Sequence, residues 1–321
     1  MLEGTKIKTP SQVSSIFDIA KDTVLFLLLS CYYILESLFW TLVPNALRPM
    51  KSLKGDVVLV TGGGGGVGRQ LAVKLARIGA KVVVWDINED ALRNTCSALR
   101  DEGYEVASYA VDLADRDAVY KTAERVKKEI GKVDVLINNA GVVFGETLLE
   151  LNDKAIETTY KVNILSHYWT VKAFLPDMIE TEKGHIVTVG SVAGLLGTYR
   201  CTDYSATKFA TVGFHESLFT ELRAHGHSTI HATLVCPSYI NTGMFDGVTP
   251  RLVPMLEPDY VAETMIDSIR KNEVNCIMPG SVRYLLPLKC LLPSKMCWDL
   301  MHRVMKGPQS MMELKRKPQA A

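Results

Sequence analysis

From Val57 to Met278 the chain alternates short β-branched apolar runs with longer amphipathic stretches. The apolar runs predict strands at Val57–Val60, Val82–Trp85, Ala107–Val111, Val133–Ile137, His185–Val189, Ile230–Val235 and Asn275–Met278. Between them, helical spacing predicts Arg69–Ile78, Asp115–Ile130, Asp153–Ile179, Tyr204–Ala224 and Pro258–Lys271. Strands that are apolar at successive positions are buried on both faces, and strands alternating with helices run parallel. The pattern therefore predicts an α/β fold: a single Rossmann-type doubly wound parallel sheet with helices on both faces.

The two ends of the chain break this rhythm. Val24 to Val43 is a run of twenty residues with one charge, Glu36. Twenty helical residues rise about 30 Å, enough to cross a hydrocarbon core. Tyr32, Tyr33 and Trp40 suit a membrane interface, and Pro44 and Pro49 end the helix. The run is too long for a signal peptide and no small-residue cleavage site follows it. It predicts a membrane-anchor helix. Glu36 costs about 2.5–3.5 kcal/mol at mid-span, which leaves open a full crossing or a shallow, one-leaflet anchor. The other end, Val282 to Met305, is apolar but carries Arg283, Lys289, Lys295 and Arg303, and Pro287 and Pro293 divide it. This short amphipathic tail reads equally as a membrane contact or as a cap over a pocket. The chain thus divides into an anchor and linker (residues 1–50), a catalytic domain (51–280) and the tail (281–321).

Composition narrows the function. Lys and Arg total 36 against 35 Asp and Glu, so no charge bias points to nucleic acid. The seven cysteines are scattered without a C-x-x-C pair, which suits a reducing compartment and no structural metal site. Lys6, Lys8 and Lys21 before the anchor balance Arg48, Lys51 and Lys54 after it, so charge does not orient it. The free thiols place the catalytic domain on the cytosolic side.

The chemistry begins at Thr61-Gly62-Gly63-Gly64-Gly65-Gly66-Val67-Gly68, between a predicted strand and a predicted helix. Glycines let the backbone approach a pyrophosphate, and the helix N-terminus faces it with free N–H groups. Eighteen residues past Gly68, the second strand ends in Asp86, placed to accept hydrogen bonds from the adenosine ribose hydroxyls. A 2′-phosphate would meet that negative charge, so the residues favour NAD over NADP. Further along, Ser191 ends a strand, Tyr204 follows thirteen residues later and Lys208 lies one helical turn on. Tyr168-x-x-x-Lys172 matches the same spacing but lacks the upstream serine. A free tyrosine is a poor base at neutral pH. A lysine charge about 4 Å away contributes about 4 kcal/mol at an effective dielectric near 20, so Lys208 is expected to lower the Tyr204 pKa by about three units. Met244, Phe245, Val248, Leu252, Val253, Met255 and Leu256 are candidates for an apolar pocket, with ordinary core packing as the alternative.

With Asn138-Asn139-Ala140-Gly141 and Pro237-x-x-x-x-Thr242, these motifs resemble the short-chain dehydrogenase/reductase family from residue 53 to about 280. The resemblance implies a catalytic set of Asn163, Ser191, Tyr204 and Lys208, with Asn163 holding a water that relays protons to Lys208. It implies a cofactor set of Gly62, Gly66, Val67, Gly68, Asp86, Asp112, Asn139, Tyr204, Lys208 and Thr242. Asp112 would bond the adenine and Thr242 the nicotinamide carboxamide. Ser238 departs from the glycine usual after the proline. Finer likeness, at Val84-Trp85-Asp86-Ile87-Asn88, Lys172-Ala173-Phe174-Leu175-Pro176 and Asn241-Thr242-Gly243-Met244-Phe245, is to membrane-bound retinol and 17-beta-hydroxysteroid dehydrogenases. It implies a homodimer on the endoplasmic reticulum or lipid droplets, acting on a lipophilic alcohol, with all-trans-retinol foremost. An NADP-dependent retinal reductase and a 17-beta-hydroxysteroid dehydrogenase are the alternatives within the family. An inactive membrane or lipid-droplet scaffold is the alternative outside enzymology, and the intact catalytic set argues against it.

Overall fold

The structure, a computed structural model, describes residues 16–44 and 47–315. Lys6 and Lys8 and the last six residues of the tail lie outside it.

The N-terminal unit contains α1 (Ile16–Leu42), a continuous helix of 27 residues that begins eight positions before the apolar run read from the sequence. None of its residues is buried, and its length and composition suffice to cross a membrane. Past its end, the Arg48 guanidinium donates to the carbonyls of Trp40 and Val43 and so caps the last turn.

The remainder is the expected α/β fold. Seven parallel strands, β1 (Val57–Thr61), β2 (Lys81–Asp86), β3 (Val106–Ala110), β4 (Val135–Asn138), β5 (Gly184–Val189), β6 (Ile230–Pro237) and β7 (Asn275–Met278), form one sheet in the order β3-β2-β1-β4-β5-β6-β7. Side chains alternate across it. Val58, Val60, Val82 and Val84 face one layer, formed by α2 (Gly66–Arg77), α3 (Glu89–Asp101) and α8 (Pro258–Arg270). Val57, Leu59, Val83 and Trp85 face the other, formed by α4 (Arg116–Glu129), α6 (Ser166–Glu180) and α7 (Thr202–Ala224). Both faces being covered is why the strands read as unbroken apolar runs.

Two elements go beyond the sequence pattern. α3 is dominated by charge, yet Leu92, Thr95, Cys96 and Leu99 form a buried stripe at helical spacing, and Asn88 caps its start. The long helix over Asp153–Ile179 resolves into α5 (Asp153–Tyr160), a π-helical turn at Lys161–Leu165 and α6. The wide turn buries Asn163, a distortion that helical periodicity alone does not register.

Candidate active site

The strand order reverses between β1 and β4, so the loops leaving them part and open a crevice at their C-terminal ends. Two staples hold its floor. The Thr61 hydroxyl accepts from the Asn139 and Ala140 N–H groups at 3.0 and 3.1 Å, and the Asn139 amide donates to the Thr61 carbonyl at 2.9 Å. The glycine loop turns over this floor with Gly62 and Gly66 at φ +67° and +51°, where side chains are disfavoured. Gly68 sits inside α2, and a Cβ there would collide with the Gly62 carbonyl. Its role is therefore close packing of helix on loop, and it lies off the cleft wall.

The cleft has a volume of about 510 Å³. Of the expected cofactor set, Gly62, Gly66, Val67, Asp86, Asp112, Asn139, Tyr204, Lys208 and Thr242 line it, and Gly68 does not. The Asp86 carboxylate accepts from the Gly64 N–H at 2.9 Å and the Asn88 N–H at 3.0 Å, which aims it along the loop and leaves lone pairs toward the cleft. Asp112 accepts from the Ala114 N–H at 2.8 Å. A side-chain-free cradle at a helix N-terminus, followed by a fixed carboxylate, fits a dinucleotide. Ile87, Leu113 and Val189 also form the wall and were missed. Their only signal in the sequence was their place near strand ends.

The catalytic candidates converge at the other end of the cleft. The Ser191 hydroxyl accepts from the Ala193 N–H at 3.0 Å and donates to the Pro237 carbonyl at 3.3 Å. Tyr204 stands in the first turn of α7, and Lys208, one turn on, donates to the Val189 carbonyl at 2.8 Å. Asn163 is fully buried behind the wall. Its side chain accepts from the Val142 N–H at 2.8 Å and donates to the Val142 carbonyl and the Thr207 hydroxyl at 3.0 and 3.2 Å. It thus ties the loop after β4 to α7. Tyr168 is packed on Phe214 and lines neither cavity, as expected of a chance match.

The electrostatics correct the sequence reading. Lys208 was expected to bring the Tyr204 phenol down, but its ammonium group is committed to Val189 and lies 5.6 Å from the centre of the Tyr204 ring. Burial wins: it pushes the Tyr204 phenol well above its ordinary range, with the Ser191 hydroxyl pulling the other way. The same burial lowers Lys208 to about 8. Tyr204 is therefore protonated at neutral pH in this arrangement.

A second, apolar pocket of about 130 Å³ opens beside the cleft and shares Ser191, Tyr204, Ser238 and Phe245 with it. Of the seven apolar candidates, Phe245, Leu252 and Val253 line this pocket, while Met244 borders the cleft. Val248 and Leu256 are buried in the core and Met255 packs against it, so for these the ordinary-packing reading holds. The tail supplies the opposite wall, through Val282, Leu285, Leu288, Leu300, Met301 and Met305. Its described residues include the short α-helices α9 (Leu286–Leu291), α10 (Ser294–Asp299) and α11 (Gly307–Met312). These tail residues cap the pocket.

Arg200 latches this cap and was not singled out in the sequence. It is buried at φ +58°, and its guanidinium donates to the carbonyls of Met311, Met312 and Leu314 at 3.2–3.4 Å. Leu314 packs over Gly145, Lys315 pairs with Asp246 at 2.9 Å, and Met311 joins the cluster containing Tyr204. The only hint was an arginine four residues before Tyr204, with no local pattern to interpret it.

A family model described as short chain dehydrogenase matches residues 56–252. "Short-chain dehydrogenase/reductase family 16C member 6" of Bos taurus is 43% identical over 279 residues, 86% of this chain and 87% of that protein. "Epidermal retinol dehydrogenase 2" of Homo sapiens is 41% identical over 280 residues, 86% of this chain and 90% of that protein. "Estradiol 17-beta-dehydrogenase 11" of Mus musculus is 38% identical over 283 residues, 88% and 94% of the two chains. Among solved structures, a short chain dehydrogenase/reductase from Burkholderia phymatum in complex with NAD superposes with a TM-score of 0.70 at 26% identity, covering 85% of this chain and 100% of that one.

Proposed function

We propose, from the premise that this chain belongs to the short-chain dehydrogenase/reductase family and is a nicotinamide-dependent oxidoreductase, that it interconverts a lipophilic alcohol and its carbonyl at a membrane. NAD is the preferred cofactor, and all-trans-retinol is the leading substrate, by kinship with a protein named for retinol. The observation that carries this reading is the junction of the two cavities. Ser191 and Tyr204 lie on both walls, beside Ser238 and Phe245, so a group in the apolar pocket and a group in the polar cleft meet at the two candidate catalytic hydroxyls.

The nicotinamide, when bound, supplies or accepts the hydride. In oxidation, the Ser191 hydroxyl orients the substrate oxygen, and Tyr204 takes the hydroxyl proton as hydride leaves the carbinol carbon. Lys208 carries the charge that favours the tyrosinate, and Asn163 holds the loop that forms the cleft wall. Asp86, already accepting two backbone N–H groups, has room for ribose hydroxyls but repels a 2′-phosphate. Arg69 is exposed and lies off the cleft wall, so it does not offset that repulsion. A second reading, reduction of the carbonyl, is favoured by the phenol that burial keeps protonated, ready to donate.

α1 is the membrane anchor in this reading, with the endoplasmic reticulum or lipid droplets as the site and a homodimer as the assembly. The test is turnover of retinoid, steroid and fatty alcohols and their carbonyls with both cofactors, in microsomes. Retinol oxidation with NAD is the expected best activity. A better rate with a 17-beta-hydroxysteroid, or with NADP, would replace that part of the reading, and no turnover on any substrate would favour the scaffold. Deleting residues 1–50 is expected to release most of the protein from membranes; full retention would place the anchor elsewhere.

A further inference from the structure

The cap is apolar on both sides, and only one side is accounted for. Its inner residues line the pocket, while Tyr284, Leu291, Met296, Trp298 and Val304 point outward and are 47–78% exposed. Two wall residues, Leu252 and Leu285, are themselves 59% and 39% exposed, so the pocket wall reaches the molecular surface, Leu285 within the cap itself. Arg283, Lys295 and Lys306 are exposed around it, and between residues 280 and 306 Asp299 is the single acidic residue against five Lys and Arg. Asp299 is paired with Arg303.

The pocket's volume sharpens the point. At about 130 Å³ it falls well short of the roughly 300–1,000 Å³ of sites that enclose a whole small molecule. A long apolar ligand reaches Ser191 and Tyr204 with one end only. The rest of it lies outside the pocket, where in water it would stay exposed.

We infer that the outer face of the cap lies on a phospholipid surface, so that the pocket mouth opens into lipid and the substrate enters without crossing water. This rests on the proposed function for the identity of the ligand, but the docking itself does not. A second copy of the chain is the less fitting occupant, because a two-fold contact through this patch would set its lysines and arginines against themselves. A lipid surface accepts both features: apolar side chains enter the acyl boundary and basic ones stay among anionic headgroups.

The test uses the full-length protein in nanodiscs of phosphatidylcholine and phosphatidylserine, with α1 retained. Replacing part of the lipid with brominated acyl chains is expected to quench a component of tryptophan fluorescence that Trp298→Phe removes. Identical lipid quenching in wild type and Trp298→Phe would overturn the inference. The double variant Leu291→Asp, Trp298→Asp touches no wall residue. It is expected to raise KM for a membrane-partitioned long-chain alcohol about tenfold or more, and to leave KM for a short water-soluble alcohol and for cofactor unchanged. Equal effects on both alcohols, or none on either, would also overturn it. If wild type turns over neither alcohol while the Trp298-dependent quenching persists, the proposed function fails and the docking stands. Concentration-dependent association without lipid, abolished by the double variant, would assign the face to a second copy instead.

Discussion

The wall of the cleft near Asp86 is made largely of backbone, whereas the wall of the pocket near Leu252 is made of side chains drawn from three distant stretches. In the first, the glycine loop, the N-terminus of α2 and the end of β2 lie within about thirty residues, and each has its place because of the strand it follows. In the second, residues 191–204, 238–253 and 282–310 must all arrive before a pocket exists. A cofactor shared by many enzymes is met by a local device, and a particular substrate by long-range packing. Changes to the first wall should therefore alter which cofactor is used, and changes to the second how substrate binds. The residues shared by both should stop the reaction.

The largest expected effect is at the junction. Tyr204→Phe keeps the ring and its packing against Phe245 while removing the proton-transferring hydroxyl. Turnover should fall by about 10²–10⁴-fold with cofactor affinity retained, measured by steady-state rates and cofactor titration. Tyr168→Phe, on the matching but unrelated pair, should leave turnover near wild type. Loss of activity in both would remove the distinction between them.

Next comes the latch on the pocket side. Arg200→Ala leaves the carbonyls of Met311, Met312 and Leu314 without their donor, at a cost on the order of 1–3 kcal/mol. The strap over the pocket should loosen first. We expect KM for the lipophilic alcohol to rise about tenfold or more while cofactor affinity is unchanged, with faster hydrogen exchange confined to residues 307–315. Cofactor affinity falling in step would show that the two walls are not separable.

The same division explains what could be read from the sequence. All seven strands, the glycine cradle, Asp86 and the Ser191–Tyr204–Lys208 set were legible because each is a short-range pattern tied to an element boundary. α3 was not named, since its four buried positions are diluted among charged ones. Arg200 was invisible because its partners lie more than a hundred residues away and are backbone carbonyls, which have no sequence signature. The apolar segment after Thr242 could not be divided between pocket and core for a similar reason. Leu252 and Leu256 look alike in sequence, yet one is 59% exposed at the pocket and the other 6% in the core. The titration of Tyr204 was misjudged because spacing gives the distance between helical neighbours, not the desolvation each suffers.

On the cofactor side, Asp86→Ala removes the repulsion toward a 2′-phosphate and the acceptor for the ribose. The ratio of kcat/KM for NAD to that for NADP should fall about ten- to a hundredfold, equivalent to about 1–3 kcal/mol. Lipophilic-substrate KM at saturating cofactor should stay the same. The carboxylate also braces Gly64 and Asn88, so part of the loss with NAD will be structural. Asp86→Asn separates the two, because it keeps the size and a hydrogen-bonding oxygen while dropping the charge. No relative gain for NADP in either variant would mean that the discrimination arises elsewhere.

The pH dependence probes the junction without any substitution. Oxidation requires the Tyr204 phenol to be without its proton, and burial raises its pKa. Raising the pH through the range below that pKa therefore increases the competent fraction, by at most about tenfold per pH unit. Reduction requires the protonated phenol and should stay flat over the same range. Lys208, lowered to about 8, bends the profile. Below that pH its ammonium charge favours the tyrosinate; above it the charge is progressively lost and the phenol becomes harder to ionise. The kcat/KM for oxidation should thus climb from pH 6.5 to about 8 and then level, while that for reduction does not climb. Lys208→Arg, which stays charged throughout, should remove the levelling even if its rates are lower. Oxidation that slows as pH rises from 6.5 to 8 would show that Tyr204 is not the group that accepts the proton.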